Sequence, residues 1–122
     1  MAEDNQINQR VGVLILQKAG FEVDVVSDGH EAVEAQKAHP YEVILMDCQM
    51  PNMDGFEASR QIRALGSRQP VIIAVTANAL VGERERCLQA GMDDYLSKPF
   101  GPEQLVGVVR KWTARGGSVP GE

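Results

Sequence analysis

Val43-Ile44-Leu45-Met46-Asp47-Cys48-Gln49-Met50-Pro51 is the stretch from which the rest of the chain is read. An apolar run leads straight into a carboxylate, and a proline closes the segment. A short continuous apolar run bounded by turn signals reads as a buried strand. Proline brings no N–H to a sheet ladder, so Pro51 ends it. Asp47 therefore stands where a core strand emerges into a loop. It is half desolvated there and still reachable from solvent, which suits a ligand or a nucleophile. An Asp in that place can equally cap the loop by accepting from nearby backbone N–H groups.

The same grammar recurs on both sides. Pro70 precedes Val71-Ile72-Ile73-Ala74-Val75, a second apolar strand that Thr76 ends. Asp94-Tyr95-Leu96-Ser97 reads as a short strand closed by Lys98-Pro99. Upstream, Phe21, Val23 and Val25 alternate with Glu22 and Asp24, which predicts a strand over Phe21 to Val26. Helical spacing fills the intervals. Ile7, Val11, Leu14 and Ile15 recur at helix period, with Gly20 placed to end that helix. Ala32, Val33 and Ala35 mark a short helix after the Asp28-Gly29 turn and before Pro40. Asp54 followed by Glu57 is a capping-box pattern, opening a helix that buries Phe56, Ser59 or the Arg60 stem, and Ile62. Leu80, Cys87 and Leu88 mark a helix running to Gly91. Pro102 opens a last one, with Leu105, Val108, Val109 and Trp112 as its apolar face.

Strands alternating with helices, apolar without alternation in mid-chain, predict an α/β fold with a parallel sheet covered on both faces. Right-handed crossovers then bring the strands' C-terminal ends to one edge, where such sheets bind ligands. A chain of 122 residues suits one domain, placed at residues 1–115, with a Gly, Ser and Pro tail at 116–122 expected to be flexible. Apolar residues make up 43% and charged residues 24%, an ordinary globular balance. A net charge of −5 argues against direct nucleic-acid binding. No apolar run approaches the roughly 20 residues that span a bilayer, so no membrane insertion by this chain is expected. Met1-Ala2-Glu3-Asp4 is acidic and lacks a signal-peptide core. Cys48 and Cys87 form no disulfide framework or metal-ligand spacing, which fits a reduced, cytoplasmic setting.

The strand ends carry the chemistry. Glu3 and Asp4 precede the first helix, while Asp47, Thr76 and Lys98 each end a strand. Parallel topology gathers all five at one edge. Carboxylates crowded there repel unless a cation joins them. Hard oxygen ligands with open positions suit Mg²⁺, which keeps waters and accepts phosphate oxygens. Lys98 adds a point charge, and Thr76 a hydroxyl donor. A metal, a cation and a donor around one carboxylate make a phosphoryl site, with Asp47 as nucleophile giving an aspartyl phosphate. Plainer uses exist for each. Glu3-Asp4 can favour a helix N-terminus, Thr76 can cap a helix, and Lys98 can be a solvated lysine.

These residues resemble the receiver domains of two-component response regulators. Glu3-Asp4-Asn5, Leu45-Met46-Asp47, Met50-Pro51, Met53-Asp54-Gly55, Val75-Thr76-Ala77 and Lys98-Pro99 carry the resemblance, in the family's order and spacing as far as Trp112. Met46-Asp47-Cys48-Gln49-Met50-Pro51 and Thr76-Ala77-Asn78-Ala79 are most like receivers of hybrid sensor histidine kinases. The resemblance implies a flavodoxin-like doubly wound sheet in the order 2-1-3-4-5. It implies phosphoryl transfer from a phosphohistidine onto Asp47, in a phosphorelay that switches a partner-binding surface. The partner would be a histidine kinase or a histidine phosphotransfer domain, and the chain could belong to a membrane-anchored hybrid kinase. Mg²⁺ would be held by Glu3, Asp4, Asp47 and the Gln49 backbone carbonyl. Thr76 and Lys98 would touch the phosphoryl group, and Tyr95 would be the switch aromatic. Gln49 and Asn78 fall where the family tunes dephosphorylation, and the Lys98–Pro99 peptide is often cis.

The start departs from the pattern. The family has a full apolar strand before its acidic pair, and only Met1-Ala2 precede Glu3 here. Met1-Ala2 are expected to form a stub of that truncated first strand, with Glu3 and Asp4 kept at the acidic edge. The natural polypeptide is expected to extend upstream. Direct pairing of the second and third strands, or a strand from a neighbouring chain, are the alternatives. Losing about four or five buried apolar residues, at roughly 1.5–3 kcal/mol each, predicts a marginal fold.

Other functions fit less well. Beyond self-catalysed phosphoryl uptake and loss, the chain is not expected to be an enzyme. A phosphohydrolase needs an activated water and a general acid, and neither His30 nor His39 falls at the strand-end edge. A flavin site would need a Gly-rich or Ser/Thr-rich phosphate cradle, which the acidic edge lacks. An inactive receiver-like docking module is the alternative that the short start keeps open. Mg²⁺ titration shifts confined to Glu83 and Glu85, on the predicted fourth helix, would count against metal at the acidic edge.

Overall fold

In the computed structural model, residues 1–3, 6–39, 41–48, 50, 53–65, 69–76, 81–97 and 100–117 are described. The three apolar runs form the sheet: β1 (Val43–Asp47), β2 (Val71–Thr76) and β3 (Asp94–Ser97). They are parallel, in the order β1-β2-β3. Asp47 lies opposite Val75, and Thr76 opposite Ser97.

The N-terminus supplies the stub. Ala2 bridges in parallel to both Met46 and Val26. Its N–H donates to the Leu45 carbonyl at 2.8 Å, and its carbonyl accepts from the Asp47 N–H at 3.0 Å. On the other side the Val26 N–H donates to the Met1 carbonyl at 3.0 Å, and the Glu3 N–H to the Val26 carbonyl at 3.1 Å. With these bridges the spatial order is the 2-1-3-4-5 of the doubly wound sheet, and the stub separates Val26 from β1.

One predicted strand is corrected. Of Phe21 to Val26, only Val26 enters a ladder among the described residues. A strand needs a neighbour, and Met1 to Glu3 run alongside Asp24 to Val26 only. The Met1 ammonium donates to the Asp24 carbonyl at 2.7 Å. Burial holds that ammonium down to about 6, against the pull of the Asp24 carboxylate. Between Phe21–Val23 and Val43–Leu45 a cleft of about 410 Å³ remains, floored by Leu16 and Val109.

Among the described residues five helices cover the sheet: α1 (Gln6–Lys18), α2 (Gly29–Ala38), α3 (Gly55–Ala64), α4 (Val81–Gln89) and α5 (Pro102–Gly117). Strand alternation divides the core between two faces. Ile44, Met46, Ile72 and Ala74 pack with Val33, Phe56, Ile62 and Cys87 of α2, α3 and α4. Leu45, Ile73 and Val75 pack with Leu16, Leu105 and Val109 of α1 and α5. Asp28 and Asp54 cap α2 and α3, each accepting from the N–H three residues on, at 2.8 and 2.9 Å. Gly20 and Gly91, with φ of 98° and 95°, end α1 and α4 in a conformation that favours glycine. α5 continues to Gly117, past the boundary at 115 that composition suggests.

Two helical patterns turn outward. Leu16 and Gly12 are the buried residues of α1, whereas Ile7, Val11 and Leu14 are exposed. On α4, Cys87 is buried and Leu88 exposed, while Leu80 lies outside the described residues. Spacing identifies a shared face without saying whether the fold covers it.

Candidate functional site

Asp47 is the last residue of β1 and only 5% exposed. Its position follows from the ladder. Its N–H is held by Ala2, and the next N–H, that of Cys48, donates to the Val75 carbonyl at 3.0 Å. Glu3, one residue beyond the bridge to Met46, is buried at the neighbouring strand end. The Glu3 carbonyl accepts from Gln9 Nε2 at the start of α1. Thr76, one residue beyond the partner of Asp47, is buried at the end of β2. The structure thus brings Glu3, Asp47 and Thr76 to one edge. Asp4, Gln49, Asn78 and the Lys98–Pro99 pair lie outside the described residues. Tyr95 sits on β3 opposite Ala74, half-buried against the core that includes Cys87.

The loop after Asp47 is pinned by close backbone approach. The Gly55 N–H donates to the Cys48 carbonyl at 3.1 Å. A Cβ at Gly55 would overlap the Asp47 carbonyl oxygen, so only glycine permits this approach. Asp54, in the same turn, is already committed to capping α3. Asp47 is therefore fixed from both neighbouring strands and from the loop.

Two features escaped the sequence reading. Glu83, in the first turn of α4, is buried. The Thr76 hydroxyl donates to Glu83 Oε2 at 3.5 Å. Spacing alone makes Glu83 a solvated helix acid. Its position three residues before Arg86 was the only local hint of a partner. The second feature is the Cys48–Cys87 pair, with the sulfurs 3.9 Å apart. Burial pushes both thiols above their ordinary range. At Cys48 the neighbouring Cys87 thiol and the Glu83 and Asp47 carboxylates add to it. Both are held as protonated core thiols, unsuited to nucleophilic or ligand duty.

Among the described residues, no group of three or more His, Cys, Asp or Glu side chains is placed to hold a metal. Glu3 and Asp47 are two of the four expected ligands. Both are buried carboxylates at neighbouring strand ends, oxygen donors that fit Mg²⁺ rather than a softer metal. His30, in the first turn of α2, and His39, just after that helix, are both exposed. No helix among the described residues is long and apolar enough to cross a membrane.

A carboxylate ending the central strand, with a second acid and a threonine at the adjoining strand ends, defines a doubly wound α/β protein with these residues at the sheet's carboxyl edge. The chain belongs to the response regulator receiver domain family, whose model matches residues 1–110, and it is a receiver domain of two-component signalling. It is 42% identical over 115 residues to the sensor protein GacS of Pseudomonas syringae, covering 91% of this chain and 13% of that one. The chain thus spans only a small part of the hybrid sensors that it matches. Among solved structures, it is 48% identical to the receiver domain of the sensor histidine kinase PA1611 of Pseudomonas aeruginosa. The TM-score is 0.84, with 93% of each chain covered, and that receiver holds a magnesium ion in its active-site cleft. The Saccharomyces cerevisiae Ssk1 receiver, solved with the histidine phosphotransfer protein Ypd1, superposes with a TM-score of 0.91 at 29% identity. That match covers 99% of this chain and 91% of the other.

Proposed function

We propose that Asp47 accepts a phosphoryl group from the phosphohistidine of a histidine kinase or phosphotransfer domain, in the cytoplasm. The observation that supports it is Asp47 itself, nearly buried yet ending the central strand, with Glu3 and Thr76 at the adjoining ends. An Asp47 carboxylate oxygen attacks phosphorus, the P–N bond to the donor imidazole breaks, and the freed ring nitrogen takes a proton. Glu3, Asp4, Asp47 and the Gln49 carbonyl would hold Mg²⁺, which neutralises phosphoryl charge when bound. Thr76 donates its hydroxyl to one phosphoryl oxygen, and Lys98 places its charge near another. Loss of the group by hydrolysis is self-catalysed at the same residues. Thr76 is drawn toward the new oxygens, and Tyr95 turns into the space it leaves, remodelling the surface of α4, β3 and α5.

The donor's docking surface is proposed on α1. This helix begins beside Glu3, and Ile7, Val11 and Leu14 form an exposed stripe at helix spacing, 73%, 49% and 56% exposed. Such a stripe fits the apolar face of a partner helix. The Ssk1 receiver bound to a phosphotransfer protein makes that class of partner the natural occupant.

The test is intact mass after incubation with a small acyl phosphate and Mg²⁺. One added phosphate on the wild type, lost with chelator or in Asp47→Asn, supports the proposal. A phosphate that persists in Asp47→Asn would remove Asp47 from its role.

A further inference from the structure

We infer that Glu83 is a positioning residue that competes with the phosphoryl group for the Thr76 hydroxyl, and so couples the state of Asp47 to α4. The inference rests on the phosphoacceptor reading of Asp47. Glu83 is 8% exposed, an unusual place for a carboxylate on a short amphipathic helix. An acid in the first turn of a helix favours the helix dipole, but it does so at the surface and has no need of burial. What the burial achieves is contact. Glu83 Oε2 accepts from Thr76 Oγ1 at 3.5 Å, and Oε1 pairs with Arg86 Nη1 at 3.4 Å. The Arg86 guanidinium lies 4.3 Å above the Phe56 ring, in the first turn of α3. A continuous path therefore runs from the end of β2, through α4, to the helix that follows the Asp47 loop.

A threonine hydroxyl has one proton to donate. Thr76 stands one residue beyond Val75, the ladder partner of Asp47, and Glu83 faces it from α4. A phosphoryl group on Asp47 presents new oxygens carrying up to about two negative charges. The proton goes to Glu83 or to a phosphoryl oxygen, and not to both. In the resting chain Glu83 holds Thr76 toward α4. When the phosphoryl oxygen takes the proton, Glu83 loses an acceptor role inside the protein and gains a like charge nearby. Arg86 remains its partner, at the exposed side of α4. The pressure is to move α4 and Arg86 outward, off Phe56. Glu83 thus opposes phosphorylation and transmits it.

The experiment follows phosphate uptake and loss by intact mass for wild type, Glu83→Gln, and each in a Thr76→Val background. Unphosphorylated Glu83→Gln is first checked for a cooperative unfolding transition. Glu83→Gln keeps an acceptor oxygen but removes its charge, which weakens the resting hold on Thr76, and should raise the ratio of uptake to loss rate about three- to tenfold. In the Thr76→Val background the same change should matter about twofold or less, since the contested proton is gone. Glu83→Asp, which withdraws the carboxylate by one methylene and keeps its charge, should give a gain of the same direction and serves if Glu83→Gln does not fold. An unchanged ratio in both Glu83 variants, on a wild type that takes up phosphate, would overturn the role of Glu83 and leave Asp47 untouched. An equal gain with and without Thr76 would also overturn it. A wild type that takes no phosphate would overturn Asp47 and Glu83 together.

Discussion

Replacing Arg63 with methionine should cost stability while leaving the Asp47 edge intact. Arg63, in the last turn of α3, ties that helix to the segment before β2 and to the segment before β3. Its Nε donates to the Gly91 carbonyl at 2.8 Å, and its Nη1 to the Pro70 carbonyl at 2.7 Å and Gln69 Oε1 at 3.0 Å. Its Nη2 pairs with Asp93 Oδ2 at 2.6 Å, and that oxygen also accepts from the Ile72 N–H at 2.9 Å. Two of these acceptors are part-buried backbone carbonyls. Hydrogen bonds from a charged donor contribute about 1.5–3 kcal/mol each. Arg63 and Asp93 side chains are 25% and 36% exposed, so solvent screens the ion pair and water replaces part of the loss. A net cost of about 2–4 kcal/mol remains, against a typical domain stability of about 5–15 kcal/mol. At an m-value of about 2 kcal/mol/M in urea, the midpoint should fall by about 1–2 M. Methionine keeps the apolar stem over Gly91, so packing loss is small. Urea denaturation of wild type and variant measures the shift, and intact mass with a phosphodonor checks the site. The network lies at the N-terminal ends of β2 and β3, remote from Asp47, so phosphate uptake by the folded variant should match wild type. A midpoint shift below about 0.3 M would refute the clamp. Lost uptake with an unchanged midpoint would refute its separation from the site.

Ile7→Lys, on the exposed stripe of α1, should slow transfer from a phosphohistidine partner about tenfold or more while leaving uptake from a small acyl phosphate unchanged. Equal slowing with both donors would place the defect in the site rather than in docking. Trp112→Phe should cost about 1 kcal/mol at neutral pH, since Trp112 Nε1 donates to Asp94 Oδ2 at 2.9 Å. Burial raises the Asp94 carboxyl, but Trp112, the Tyr95 N–H and Lys111 together outweigh it and hold it below its ordinary value. A depressed carboxyl stabilises the fold above its unfolded pKa and loses that contribution as pH falls through the folded one. The gap between wild-type and Trp112→Phe midpoints should therefore be full near neutrality and close on acidification below about pH 4. A gap independent of pH would show that ring packing, and not the Asp94 bond, carries the difference.

The apolar runs ending in Asp47 and Thr76 were legible in the sequence because both causes are local. Continuous apolarity marks a strand covered on both faces, and a polar residue at its end marks where the cover stops. The cap at Asp54 and the glycines that end α1 and α4 are legible for the same reason, since their bonds close within one helical turn, whereas Asp28, read as part of a turn, is the cap of α2. Parallel topology then places the strand ends together without further information. Tertiary structure alone decided the rest. Phe21 to Val26 alternates as a strand should, yet only Val26 pairs, because a ladder depends on a neighbour supplied by Met1 to Glu3. Ile7, Val11 and Leu14 share a face by periodicity, but their exposure depends on how α1 is rolled against α5. Arg63 and Glu83 read as surface charges on helices, yet Arg63 is held by Asp93, thirty residues on, and Glu83 by the end of the preceding strand. Periodicity reports what a segment would bury. Which charge is worth burying is set by partners that only the folded chain brings near.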